Sequence, residues 1–262
     1  MTIPSKEFKR RARAVLTGKY SIAVSLSTTL ILAVLAMSFL LQHTGFGESP
    51  QLMHQIFFWC LWAIMAILGA LLEVGLMKFL YTLSKEHSLS TPFVIFYAFQ
   101  NQPDTFILTT AVRYLAVLIW FVPALLKALQ LPLLTMTIEE LVTALLPILG
   151  LALIAVIPAT LLALPFCLTN YVLLDEPYMS AHEALFTSIK LIKGQKKRVF
   201  FLWLSFLPLC LASLGSYGVG FLWLLPYYHA TMSQFYLELT GQVPEPKEES
   251  APTPDAFQEP EI

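Results

Sequence analysis

The chain has 262 residues, of which 57% are hydrophobic and 13% charged, with a formal net charge of −1 and a mean hydropathy of +0.69. A water-facing surface carries about 25% charged residues, so a soluble globular class is excluded and an all-α, polytopic membrane helix bundle is implied. The balanced charge and the lack of a basic, aromatic-interleaved platform also exclude a nucleic-acid partner.

The first element is amphipathic. Residues 5–17, SKEFKRRARAVLT, set Phe8, Ala12, Val15 and Leu16 on one side and Lys9, Arg10 and Arg13 on another. A helix of this pattern is expected to lie in the membrane interface with its apolar face down. The apolar stretch from Ser21 to Leu41 follows. It exceeds the roughly 7–15 residues of a signal-peptide core and no small-x-small cleavage site comes after it, so it reads as the first span.

A spanning helix needs about 20 mostly apolar residues. That length predicts spans over about 21–41, 56–80, 105–127, 141–168, 199–214 and 219–238, one membrane domain filling residues 1–240. The fifth is only about 24 Å long at helical rise. The sixth is interrupted at Pro226 and turns polar after Tyr228, so the last two form either short spans or a re-entrant hairpin. TPFVIFYAF (91–99) is too short to cross and is expected at the interface.

Lysine and arginine placement sets the orientation. With the N-terminus inside, every Lys and Arg falls in an inner segment except Arg113 and Lys127, which lie within or at the end of span three. Cytoplasmic loops collect such residues, so both termini are expected to be cytoplasmic.

Ionisable groups at membrane depth are functional candidates because leaving them unpaired there is costly. Glu73 and Arg113 are the clear cases. Counted from the expected inner ends of spans two and three, both sit about 10–12 Å deep, which suggests an ion pair between neighbouring spans. In span four, Ala155, Ala159 and Ala163 recur at helical spacing and would let another helix approach closely. Pro147, Pro158 and Pro165 punctuate the same span, and a proline-broken helix can line a substrate path.

The three cysteines lie in apolar runs and the five histidines are scattered, so neither disulfides nor a metal site is suggested. No G-x-S-x-G, H-E-x-x-H or P-loop occurs. No catalytic residues, cofactor or metal are implied.

After span four, Asp175 and Pro177 mark a turn, and Ser180 with Glu183 has capping-box spacing. A second amphipathic helix is expected over 180–193, ending in the basic run Lys190, Lys193, Lys196, Lys197 and Arg198 beside Val199 and Phe200. From Gly241 the composition becomes proline-rich and acidic, which predicts a disordered cytoplasmic tail over 241–262.

Residues 157–239 carry a set of ordered marks. Pro158 precedes Asp175-x-Pro177, followed by Ser180-Ala181-x-Glu183-Ala184, Ser188, Lys193-Gly194 and Leu204-Ser205-Phe206. Gly218-x-Gly220, Leu222-Trp223, Pro226-Tyr227 and Phe235-Tyr236 complete it, with Ala12-x-x-x-Leu16-x-Gly18 near the start. The set resembles a bacterial integral membrane family, domain of unknown function nine-seven-five. Ala159 and Leu162 depart from it, standing where the family usually has Gly and commonly Lys. The resemblance implies a multi-span architecture in a bacterial cytoplasmic membrane, without an established activity.

The expected role is therefore non-enzymatic. A basic inner face would contact anionic lipid or a membrane partner through Lys9, Arg10, Arg13, Lys190, Lys193, Lys196, Lys197 and Arg198. The alternative is a small-solute or lipid transporter with span four lining the path.

Overall fold

A computed structural model describes residues 5–43, 52–88, 91–131 and 137–243, and every regular element within them is helical. The expected tail beyond Val243 lies outside these residues. α1 (Ser5–Leu16) turns into α2 (Tyr20–Gln42), against which α3 (Leu52–Glu86) packs. A 3-10 turn (Pro92–Phe96) and the short α4 (Tyr97–Gln100) fold onto α3. α5 (Pro103–Leu118) continues through a 3-10 turn into α6 (Val122–Leu129), and α7 (Ile138–Ala163) continues likewise into α8 (Thr169–Asp175). α9 (Ala181–Ile192), α10 (Lys196–Leu204), α11 (Leu207–Gly215) and α12 (Phe221–Leu239) complete the bundle.

Five stretches are long and apolar enough to cross a membrane: Tyr20–Gln42, Ile56–Glu86, Pro103–Leu129, Glu139–Asp175 and Lys196–Gly215. Their breaks fall at prolines. Pro123, Pro165 and Pro208 each open a new helical segment, where the missing N–H would have no partner in any case. Pro147 and Pro158 instead stay within an unbroken α7. That helix is largely exposed along Leu146, Leu149, Leu153, Ile154, Ile157 and Leu161. An apolar surface of that extent suits lipid contact.

α12 is not one of the five. It packs against α1, α2, α3 and α11, and Leu224, Pro226 and every residue from His229 to Leu237 are buried. Its polar residues are tolerable because its neighbours are protein rather than lipid, so their hydrogen bonds can be met inside the bundle. Gly220, at its start, is close-packed: a Cβ there would lie 2.7 Å from Ser213 Cα.

α1 departs from its expected place. Its apolar face is not turned to lipid: Phe8, Ala12 and Leu16 are fully buried in contacts with α12, α3 and α10. A large side chain such as Phe8 gains as much from a protein groove as from acyl chains, and here the ring meets Phe235 edge-on at 5.4 Å. Gly18 and Gly194, which follow α1 and α9, both have left-handed backbones (φ 75° and 87°), a conformation glycine adopts without steric cost.

Candidate functional site

The densest polar cluster closes the end of the bundle where α3, α8 and α12 finish. Asp175 terminates α8, and its carboxylate collects donors from both flanking helices. Tyr81 Oη and Lys85 Nζ donate to Oδ1 at 2.7 and 2.6 Å, while Tyr236 Oη and Gln242 Nε2 donate to Oδ2 at 3.2 and 2.7 Å. Charge-assisted bonds of this kind are the strong ones, and together they pin the chain after α12 to the exit of α3. Pro177 lies in the turn that follows. Ser180 and Glu183 form a reciprocal capping box that opens α9, and hydrogen bonds from Ser180 hold the Glu183 carboxyl below its usual range. Ser188 donates to the carbonyl of Pro165 at 2.7 Å, anchoring α9 beneath the α7–α8 break.

The basic residues divide into two groups. Lys9 Nζ donates to the Ser205 carbonyl at 2.7 Å and lies 4.1 Å from the centre of the Phe206 ring. Arg13 Nε donates to Tyr227 Oη at 3.1 Å. Arg198 pairs with Glu238 at 2.9 Å and stacks over Phe8 and Phe235. These cations bind the protein's own helices. Arg10 is exposed and pairs with Glu7 at 2.8 Å. Lys190, Lys193, Lys196 and Lys197 are all exposed, and no carboxylate lies within ion-pair distance of them among the described residues.

Deeper in the bundle the expected Glu73–Arg113 contact is not formed. Glu73 instead approaches His229 of α12, with Nε2 3.4 Å from Oε1; that approach is not an aligned hydrogen bond, since Nε2 has no hydrogen-bond partner. Arg113 acts on the carboxylate only through longer-range attraction. The other ring nitrogen, Nδ1, lies 3.3 Å from Tyr171 Oη, which donates to the His229 carbonyl at 3.2 Å. Because α3 continues to Glu86, Glu73 stands about 20 Å from the helix end, deeper than the expected end at residue 80 would place it.

Glu73 and Arg113 open onto different spaces. Glu73 lines an apolar cavity of about 440 Å³ between α2, α3, α5 and α12, with Val34, Trp62, Gly69, Tyr114 and Leu225 among its walls. Arg113 lines a smaller one of about 250 Å³ with Val117, Ala163, Cys167, Trp203 and Tyr228. Tyr114 borders both. Ala155 and Ala159 are buried and Ala163 is half-buried, on a helix that packs against α5 and α6.

The functional candidates missed in sequence are His229, Tyr171 and the donors around Asp175. A usable signal was present in α12, whose HATMSQFY run is too polar for lipid exposure and so demanded protein neighbours.

No curated protein and no solved structure matches the chain. Residues 1–243 match the family described as Protein of unknown function (DUF975). That match spans every described residue, and the chain belongs to this family.

Proposed function

We propose that the chain is a non-enzymatic multi-pass protein of the bacterial cytoplasmic membrane, with both termini cytoplasmic, whose α9–α10 corner holds anionic lipid headgroups. The observation that carries this reading is the exposed set Lys190, Lys193, Lys196 and Lys197, set beside exposed Ile189, Phe200 and Phe201. Cations next to exposed apolar side chains match an interface of headgroups over acyl chains. Each lysine near an anionic leaflet contributes about 1 kcal/mol. Lys9, Arg13 and Arg198 stand outside this surface, because their charges are engaged within the bundle.

The test uses the full-length protein in nanodiscs of phosphatidylcholine and phosphatidylglycerol, with retained lipids counted by native mass spectrometry. Wild type is expected to retain phosphatidylglycerol preferentially. The K190Q/K193Q/K196Q/K197Q variant is expected to lose that preference at least tenfold; an unchanged preference sinks the reading. Orientation is checked separately with Gln195→Cys in a background where Cys60, Cys167 and Cys210 are replaced by Ser, and it is expected to react with an impermeant maleimide only after the inner face is opened. Labelling of intact spheroplasts would reverse the topology.

A further inference from the structure

The cavity beside Glu73 has a composition that restricts what can fill it. Its walls are almost wholly apolar, from Leu30 and Val34 of α2 to Trp62 and Gly69 of α3 and Leu225 of α12. Glu73 is the sole acidic side chain among the lining residues, and no Lys, Arg or His lines the space with it. Its side chain keeps 33% of its exposure, whereas His229 behind it keeps 4%. His229 lies 3.4 Å from one carboxylate oxygen on the protein side, and the group is open toward the cavity. Among the described residues no donor is hydrogen-bonded to either Glu73 oxygen.

A carboxylate facing an apolar space is poorly solvated and attracts a cation strongly at low dielectric. Trp62 and Tyr114 line the same space, and aromatic rings attract cations over their faces. The volume of about 440 Å³ falls within the range of small-molecule sites, about 300–1,000 Å³. Trp62 and Leu35, both lining residues, are also exposed on the outer surface of the bundle, so the space is reached from the side that lipid would cover. A ligand entering there must be soluble in acyl chains and carry positive charge.

We propose that this cavity binds a lipophilic organic cation, with Glu73 as its counter-ion. The proposal is independent of the lysine corner and goes beyond the lipid-contact reading.

The test pairs tetraphenylphosphonium with tetraphenylborate, which share size and shape and differ in charge sign. Binding to the full-length protein in nanodiscs is measured by equilibrium dialysis, with empty nanodiscs subtracted. Saturable tetraphenylphosphonium binding is expected, at least tenfold tighter than tetraphenylborate. Glu73→Gln is expected to weaken the cation at least tenfold. Ala66→Leu, at an exposed residue that lines the cavity, is expected to abolish binding while the protein stays monodisperse. Binding of the anion as tight as the cation would identify a lipid groove without charge selection and overturn the proposal. No saturable binding, or full affinity in either variant, overturns it as well. Should Glu73→Gln fail to fold, Ala66→Leu together with the charge-sign comparison decides.

Discussion

α1 and α9 share a plan: an amphipathic helix with a glutamate in its first turn and a basic residue in its last, a left-handed glycine after it, and a long apolar stretch beyond. Their use in the bundle differs. α1 buries Phe8, Ala12 and Leu16 completely and spends Lys9 and Arg13 on Ser205 and Tyr227. α9 buries Ala181, Ala184, Ser188 and Ile192, while Phe186, Ile189 and Lys190 remain exposed. The difference follows from the size of the residues on the buried stripe. A phenylalanine needs a deep partner groove, which α12 supplies, whereas two alanines and a serine need only a shallow seat against the α7–α8 break, and the one large buried side chain of α9, Ile192, comes at its end. Cations are then carried inward with α1 and left outward on α9.

The largest test of this contrast is truncation of the two aromatic residues. Phe8→Ala removes a fully buried ring and is expected to cost about 3–5 kcal/mol. Phe186→Ala, half exposed, is expected to stay within about 0.5 kcal/mol. Both are read as shifts in the midpoint of SDS-induced unfolding. Equal losses would mean that α9 is docked as firmly as α1, and the contrast would collapse.

The cations give a smaller version of the same comparison. Lys9→Ala removes a charge-assisted bond to a backbone carbonyl and exposes that acceptor, an expected loss of about 1.5–3 kcal/mol. Lys193→Ala is expected to leave the unfolding midpoint within about 0.5 kcal/mol and to act only on lipid retention. A stability loss for Lys193→Ala comparable to that for Lys9→Ala would show that the α9–α10 lysines also serve the fold.

The helical class and five of the six expected membrane-length segments were legible because hydropathy and length alone decide them; those five run further than expected, to Glu86 and Asp175 in two cases, and the expected sixth, 219–238, is not among them. The polar run of α12 pointed to protein neighbours, but which helices supply them was not legible. Its Pro226 and polar run weaken the hydropathy of a lipid-facing helix, and periodicity reports which face is apolar without reporting what covers it. The same gap explains α1, whose amphipathic pattern fits an interface and a protein groove equally. The Glu73–Arg113 expectation rested on adjacency in sequence, yet the carboxylate meets His229 from a helix far along the chain. Asp175 was legible as a turn. Its role as the acceptor for Tyr81, Lys85, Tyr236 and Gln242 depends on tertiary convergence that spacing does not encode.

The smallest expected effect lies where the two regions are alike. Gly18 and Gly194 hold φ values of 75° and 87°, and a Cβ added at either would meet nothing within 4 Å. An alanine at these positions is therefore opposed by backbone conformation alone, without a packing clash to confuse the reading. Gly18→Ala and Gly194→Ala are each expected to destabilise by about 1 kcal/mol. The two values should agree within measurement error even though the helices before them are used differently, because the strain is set by the turn and not by what its neighbours touch. A markedly larger loss at Gly18 would mean that this turn also sets how deeply α1 enters its groove, so that the docking of the two helices is fixed partly at their C-terminal ends. Lipid retention by the α9–α10 lysines should survive Gly18→Ala and weaken with Gly194→Ala, since only the second turn orients Lys190 and Lys193 relative to Lys196 and Lys197.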